Sequence, residues 1–206
     1  MKKTVLLIAG SFLVLSCNQK VKQDVNEQKQ SEQTNGEETI EGDSATITNL
    51  NIADIPYSNA DLGAFPFFTL PKNLKELNKP LQKDFDVCYF PINGVMTPFE
   101  GKLYKTFVTG VEKESFSQRY FEKSLEDYLK SRGAVKIFDG HITADEYDRY
   151  HNEDPNKGGE GDMGYADERI KFYMIRTEDK GNIYIQFTAN NASGKLNILQ
   201  EEVDKS

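Results

Sequence analysis

The chain has 206 residues, a formal net charge of -8, 28% charged and 37% hydrophobic residues, two cysteines and two histidines. With a polar amino-terminal stretch set aside, roughly 150 residues remain, enough for one domain with its own core. The acid excess, concentrated between residues 112 and 168, excludes the basic face that nucleic acid or anionic head groups require.

Lys2 and Lys3 precede an apolar run from Val5 to Leu15, and Val14-Leu15-Ser16-Cys17 closes it with a small residue before the cysteine. A positive end, a short apolar core and a small residue at the cut are what a secretory signal needs. The run falls short of the roughly 20 residues that span a bilayer as a helix. The segment resembles a bacterial lipoprotein signal. That resemblance implies cleavage after residue 16, a thioether-linked diacylglyceryl group on Cys17, and a membrane anchor of palmitate-type chains. At about 0.8 kcal/mol per buried methylene, two or three chains anchor stably where one is marginal. Residues 1–16 are then the signal, residues 17–48 a lipidated tether and residues 49–206 one globular domain. Asn18 to about Thr46 is nearly all polar and too poor in apolar surface to offset the entropy of ordering. As a flexible coil it reaches about 30 Å. Asn18-Gln19-Lys20 offers neither an aspartate directly after the cysteine nor a dense acidic run, so the expected location is the outer membrane, facing the periplasm.

Within the domain, Asp61 to Pro71 is rich in phenylalanine and carries two prolines, which forbid a regular helix. It reads as a segment wrapped over the core edge, with a ligand groove lined by Phe65, Phe67 and Phe68 as the alternative. Lys72 to Lys79 reads as a short helix. Phe85 to Ile92 and Val95 to Glu100 flank Asn93-Gly94, a hairpin-turn dipeptide, and Gly101 allows a bend before Lys102 to Val108 continues the sheet. Cys88 sits on one strand face with Phe90 and reads as a buried, inert thiol.

Ser115 to Arg132 is the strongest helix. Ser115 and Gln118 form a capping-box pattern, Gly133 follows the last turn, and Phe121, Leu125, Tyr128 and Leu129 make one apolar stripe. Glu126 and Lys130 are spaced for an ion pair. Val135 to Phe138, Ile170 to Ile175 and Ile183 to Phe187 read as strands, and Lys195 to Glu202 as a short final element. In the third of these strands, Ile183, Ile185 and Phe187 alternate with Tyr184, Gln186 and Thr188 as if one face were buried. The expected class is α+β: an antiparallel or mixed sheet of about five to six strands covered by one main amphipathic helix.

His141 and His151 flank an acidic stretch that runs on to Met163. Histidines with carboxylates are the chemistry of divalent metal sites and of acid–base pairs. Their spacing matches no zinc pattern. Asp154, Asn156, Gly159, Glu160 and Asp162 fall at positions one, three, six, seven and nine of a calcium loop, but Tyr165 occupies position twelve, where a carboxylate belongs. The expected reading is a solvated loop without metal or cofactor, with His141, His151, Asp154, Glu160 and Asp162 as the candidates otherwise. No nucleophile elbow or phosphate loop occurs.

Phe65-Pro66-Phe67, Phe99 to Tyr104, the unit from Tyr120 to Phe138 and Ile183 to Phe187 together resemble the amino-terminal region of envelope proteins that carry an OmpA-like peptidoglycan-binding domain at their carboxy-terminal end. This sequence reaches Ser206 without the Asn-x-x-Leu-Ser-x-x-Arg-Ala-type motif of that domain, so peptidoglycan binding transfers to no residue. The expected function is a lipid-anchored, non-catalytic binding or assembly module. Its partners are the membrane, through lipid at Cys17, and an envelope protein, with no nucleic acid. The alternatives are a lipid-anchored hydrolase or metal-dependent enzyme using the His141/His151 loop, and a small-ligand carrier.

Overall fold

The structure, a computed structural model, describes residues 50–112 and 115–201, which lie in a unit running from Asp43 to Ser206. The signal, Cys17 and the tether lie outside the described residues. The elements in order are β1 (Leu74–Glu76), β2 (Leu81–Ile92), β3 (Val95–Gly110), α1 (Gln118–Ser131), β4 (Val135–Gly140), α2 (Ala144–Glu153), β5 (Ile170–Thr177), β6 (Gly181–Ala189) and β7 (Gly194–Gln200). They form an α+β fold around one sheet of order β1-β3-β7-β6-β5-β4, with β2 also paired to β3 and every pair antiparallel. The class is as expected, while the sheet is larger, at seven strands, and a second helix joins the first.

Local chemistry accounts for the turns and caps. Asn93 and Gly94 have φ of 51° and 81°, and Ile92 pairs directly with Val95, so the two residues close a tight hairpin whose twist suits the strands. Gly101 lies inside the unbroken β3, where an added Cβ would stand 2.1 Å from the carbonyl oxygen of Gln200. Only glycine lets β7 end that close. The N-cap of α1 is Ser117, whose hydroxyl accepts from the Tyr120 amide at 3.3 Å. The Ser115 capping box is therefore not used, and Gln118 bonds Glu122 at 2.8 Å instead. On the exposed face Lys123 pairs with Asp127, whereas Glu126 turns to Lys171, so the expected Glu126–Lys130 pair gives way to a tertiary one.

Two corrections concern element type. Residues 74–76 form β1 beside β3 where a helix is expected, because pairing with Val108–Gly110 overrides weak local preference. Residues 144–153 form α2 where a loop is expected. The Thr143 hydroxyl caps its start on the Glu146 amide, and Tyr150 buries its ring.

Both faces of the sheet are covered. On one, Phe121, Leu125 and Leu129 of α1 pack against Tyr173, Ile175, Ile183, Ile185 and Phe187. The Phe65 to Phe68 segment closes the edge of this layer, with Phe68 against the Tyr128 ring and Tyr128 Oη donating to the Phe67 carbonyl at 3.1 Å. On the other, the β2–β3 arm packs Cys88 and Phe90 against Leu103, Phe172, Met174, Tyr184 and Leu199. Tyr89 and Met96 of the same arm meet Ile142, Tyr150, Met163 and Ile170 around α2. The one-faced reading of β6 is therefore corrected: Tyr184, Gln186 and Thr188 are buried along with Ile183 and Phe187. The arm supplies the second cover.

Candidate functional site

The acidic stretch after α2 forms a strap, residues 154–164, across the β1, β2 and β3 side of the domain. Its carboxylates are engaged by protein donors. Glu160 accepts from Asn78 Nδ2 at 2.7 Å and from the Phe107 amide at 3.1 Å. Asp162 accepts from His151 Nε2 at 3.1 Å and from the Gly158 amide at 3.0 Å. Tyr150 Oη donates to the Met163 carbonyl, and Asn156 reaches Lys83 and Asp86 on β2. His141 lies elsewhere, donating through Nδ1 to the Asp167 carbonyl at 2.8 Å. Of the five metal candidates the fold thus joins His151 to Asp162 and sends His141, Asp154 and Glu160 to separate partners. Among the described residues no three of His, Cys, Asp and Glu are grouped to hold a metal ion. The solvated-loop reading fits Pro155 and Lys157 to Gly159, which are exposed, and is corrected at Asp154, Gly161 and Met163, which are buried.

Beneath the strap lies a polar centre that sequence reasoning missed. Lys105 of β3 pairs across the ladder with Asn197 of β7, and Asn197 with Gln186 of β6, so three polar side chains form one row on the arm-covered face. All three are at least 98% buried, and Asp154 sits over them with its Oδ2 3.8 Å from Lys105 Nζ. Gln186 Nε2 donates to the Tyr89 carbonyl at 2.8 Å. Gly161 is required here: at φ 66° an added Cβ would fall 2.3 Å from Asn197 Oδ1. In sequence these polar residues alternate with apolar ones and look solvent-facing.

Cys88 borders this centre, and burial pushes its thiol up from 9.0 to about 12 against the pull of Lys105. The unfolded chain ionises this thiol first. Its contribution to stability is therefore whole below about pH 9 and falls as pH rises toward about 12, by up to about 1.4 kcal/mol per pH unit. Burial, then nearby carboxylates, raises Tyr104, Tyr150, Tyr173 and Tyr184 as well, which adds to the alkaline loss. Urea unfolding at about pH 8 and about pH 10.5 should show that loss, smaller in Cys88→Ala.

An accessible cleft opens on the other face, between the start of α1 and β4–β6. It measures about 230 Å³ and is lined by Gln118, Glu122, Asp139, Arg169, Lys171 and Phe187, among others. Lys171 Nζ stands 2.9 Å from both Glu122 and Glu126, and the two carboxylates hold its pKa up although burial alone would lower it. Asp139 receives Arg169 Nε at 2.6 Å and Lys136 Nζ at 3.0 Å. Burial alone would raise its pKa, but these two hydrogen bonds hold it below the usual value. Pockets that enclose whole drug-sized molecules span roughly 300–1,000 Å³; this cleft is smaller, and a shallower depression of about 510 Å³ along α1 shares Gln118 and Glu122 with it. Both signs of charge at its mouth, with a buried ring beneath, fit a polar interface contact.

Comparison with protein-family models, with curated proteins and with solved structures finds no match to this chain.

Proposed function

We propose that this protein is an exported lipoprotein, anchored through acyl chains on Cys17 in the outer membrane facing the periplasm, and that its α+β domain is a non-catalytic binding or assembly module. The anchor rests on the run from Lys2-Lys3 to Ser16-Cys17. The module reading is carried by one observation, the cleft at the start of α1, whose paired charges suit a polar contact with a protein partner. An enzyme built on His141 and His151 has less support, because each ring engages a different aspartate. A carrier built on Phe65 to Phe68 has less support too, because these rings pack on the core beside Tyr128.

Cells expressing the full chain, fed an alkyne-bearing palmitate, should label wild type and not Cys17→Ala. Envelope partners captured on the labelled protein should be retained by Lys75→Ala, a change on exposed β1, and reduced at least about tenfold by Arg169→Glu at the cleft mouth. Equal labelling of both chains would remove the anchor. Equal capture by all variants would remove the cleft.

A further inference from the structure

The polar centre under the strap has more acceptors than direct protein donors. Gln186 Oε1 and Asn197 Oδ1 are buried and accept no hydrogen bond from any protein group. Unsatisfied buried acceptors cost free energy, and native structures seldom tolerate two in one place. The ammonium of Lys105 is separated from Asp154 Oδ2 by 3.8 Å, beyond a direct hydrogen bond. A polar contact at such a distance, inside a protein, commonly has a third group between or beside the pair. Lys105, Asp154, Gln186 and Asn197 all line one small cavity of about 10 Å³.

We propose that this cavity is a built site for a single structural water molecule, which accepts from Lys105 Nζ and donates to Gln186 Oε1 and Asn197 Oδ1. The stoichiometry matches: a buried water makes about three hydrogen bonds, and the site offers one donor and two otherwise unused acceptors. The volume matches one water and nothing larger. A metal or ammonium ion is disfavoured by the Lys105 charge already present, and an anion by the side-chain oxygens of Asp154, Gln186 and Asn197. The geometry also gives the water a task. Lys105, Asn197 and Gln186 belong to three adjacent strands, so the water ties β3, β7 and β6 together beneath the strap, where Asp154 faces the Lys105 ammonium. Glycine at position 161 keeps Asn197 Oδ1 from being covered by a side chain.

The test is a crystal structure of the full chain at a resolution that shows ordered solvent, paired with oxygen-17 relaxation dispersion of water in solution. The expected result is density for one water within about 2.7–3.2 Å of Lys105 Nζ and both carbonyl oxygens. In solution, Asn197→Leu should hold one long-lived internal water fewer than wild type. If Asn197→Leu does not fold, Gln186→Met serves for the same count. A cavity without solvent density, Lys105 Nζ bonded directly to either carbonyl oxygen, or an unchanged water count in the folded variant would overturn the proposal.

Discussion

Asp154→Asn is expected to destabilise the domain by about 3–5 kcal/mol, the usual cost of removing one partner from a buried ion pair. Lys105 and Asp154 are both almost fully enclosed, so the substitution leaves an ammonium in the interior without its ion-pair partner. Asparagine keeps the short-range role of the residue, since its side-chain oxygen can still accept from the Asn156 amide as Asp154 Oδ1 does at 2.8 Å. The loss therefore isolates the charge. The double change Lys105→Met with Asp154→Leu removes both ions and their desolvation cost, and should recover most of the stability, to within about 1–2 kcal/mol of wild type. Equilibrium urea unfolding of the three chains decides the matter. A double variant as unstable as the single one would mean that packing of these side chains, and not the unpaired charge, sets the loss.

Phe90→Ala should cost about 3–5 kcal/mol, whereas Phe85→Ala, five residues earlier on β2, should change stability by no more than about 0.5 kcal/mol. Phe90 is wholly enclosed, with ring centroids 5.1 Å from Phe172, 5.6 Å from Tyr184 and 6.1 Å from Phe99. Truncation removes the anchor of the arm and leaves a void between it and the sheet. Phe85 is 56% exposed and lies at the irregular step between Lys83 and Asp86, where the register with β3 shifts. The two substitutions delete the same side chain from the same strand. Denaturant midpoints with unchanged slope would attribute the difference to burial alone.

The contrast between these two phenylalanines shows what the sequence by itself determines. Local chemistry is legible: the Asn93-Gly94 turn, the Phe121-Leu125-Leu129 stripe, the left-handed Gly133 after α1 and the existence of strands β5 and β6 are each specified within about ten residues. The α+β class follows from them. Residue types at the acidic strap are legible too, but their use is not. Asp154, Glu160 and Asp162 have the composition of a metal loop, and the fold instead gives each its own donors on β3, α2 and the strap's own backbone.

Only the tertiary structure decided that the β2–β3 arm covers the second sheet face, that residues 74–76 pair as a strand, and that Lys105, Asn197 and Gln186 meet in one row. Alternation along a strand says that two faces differ and does not say whether the polar face meets water or another layer. That depends on contacts between residues far apart in sequence, such as Gln186 with Tyr89, which no local window contains.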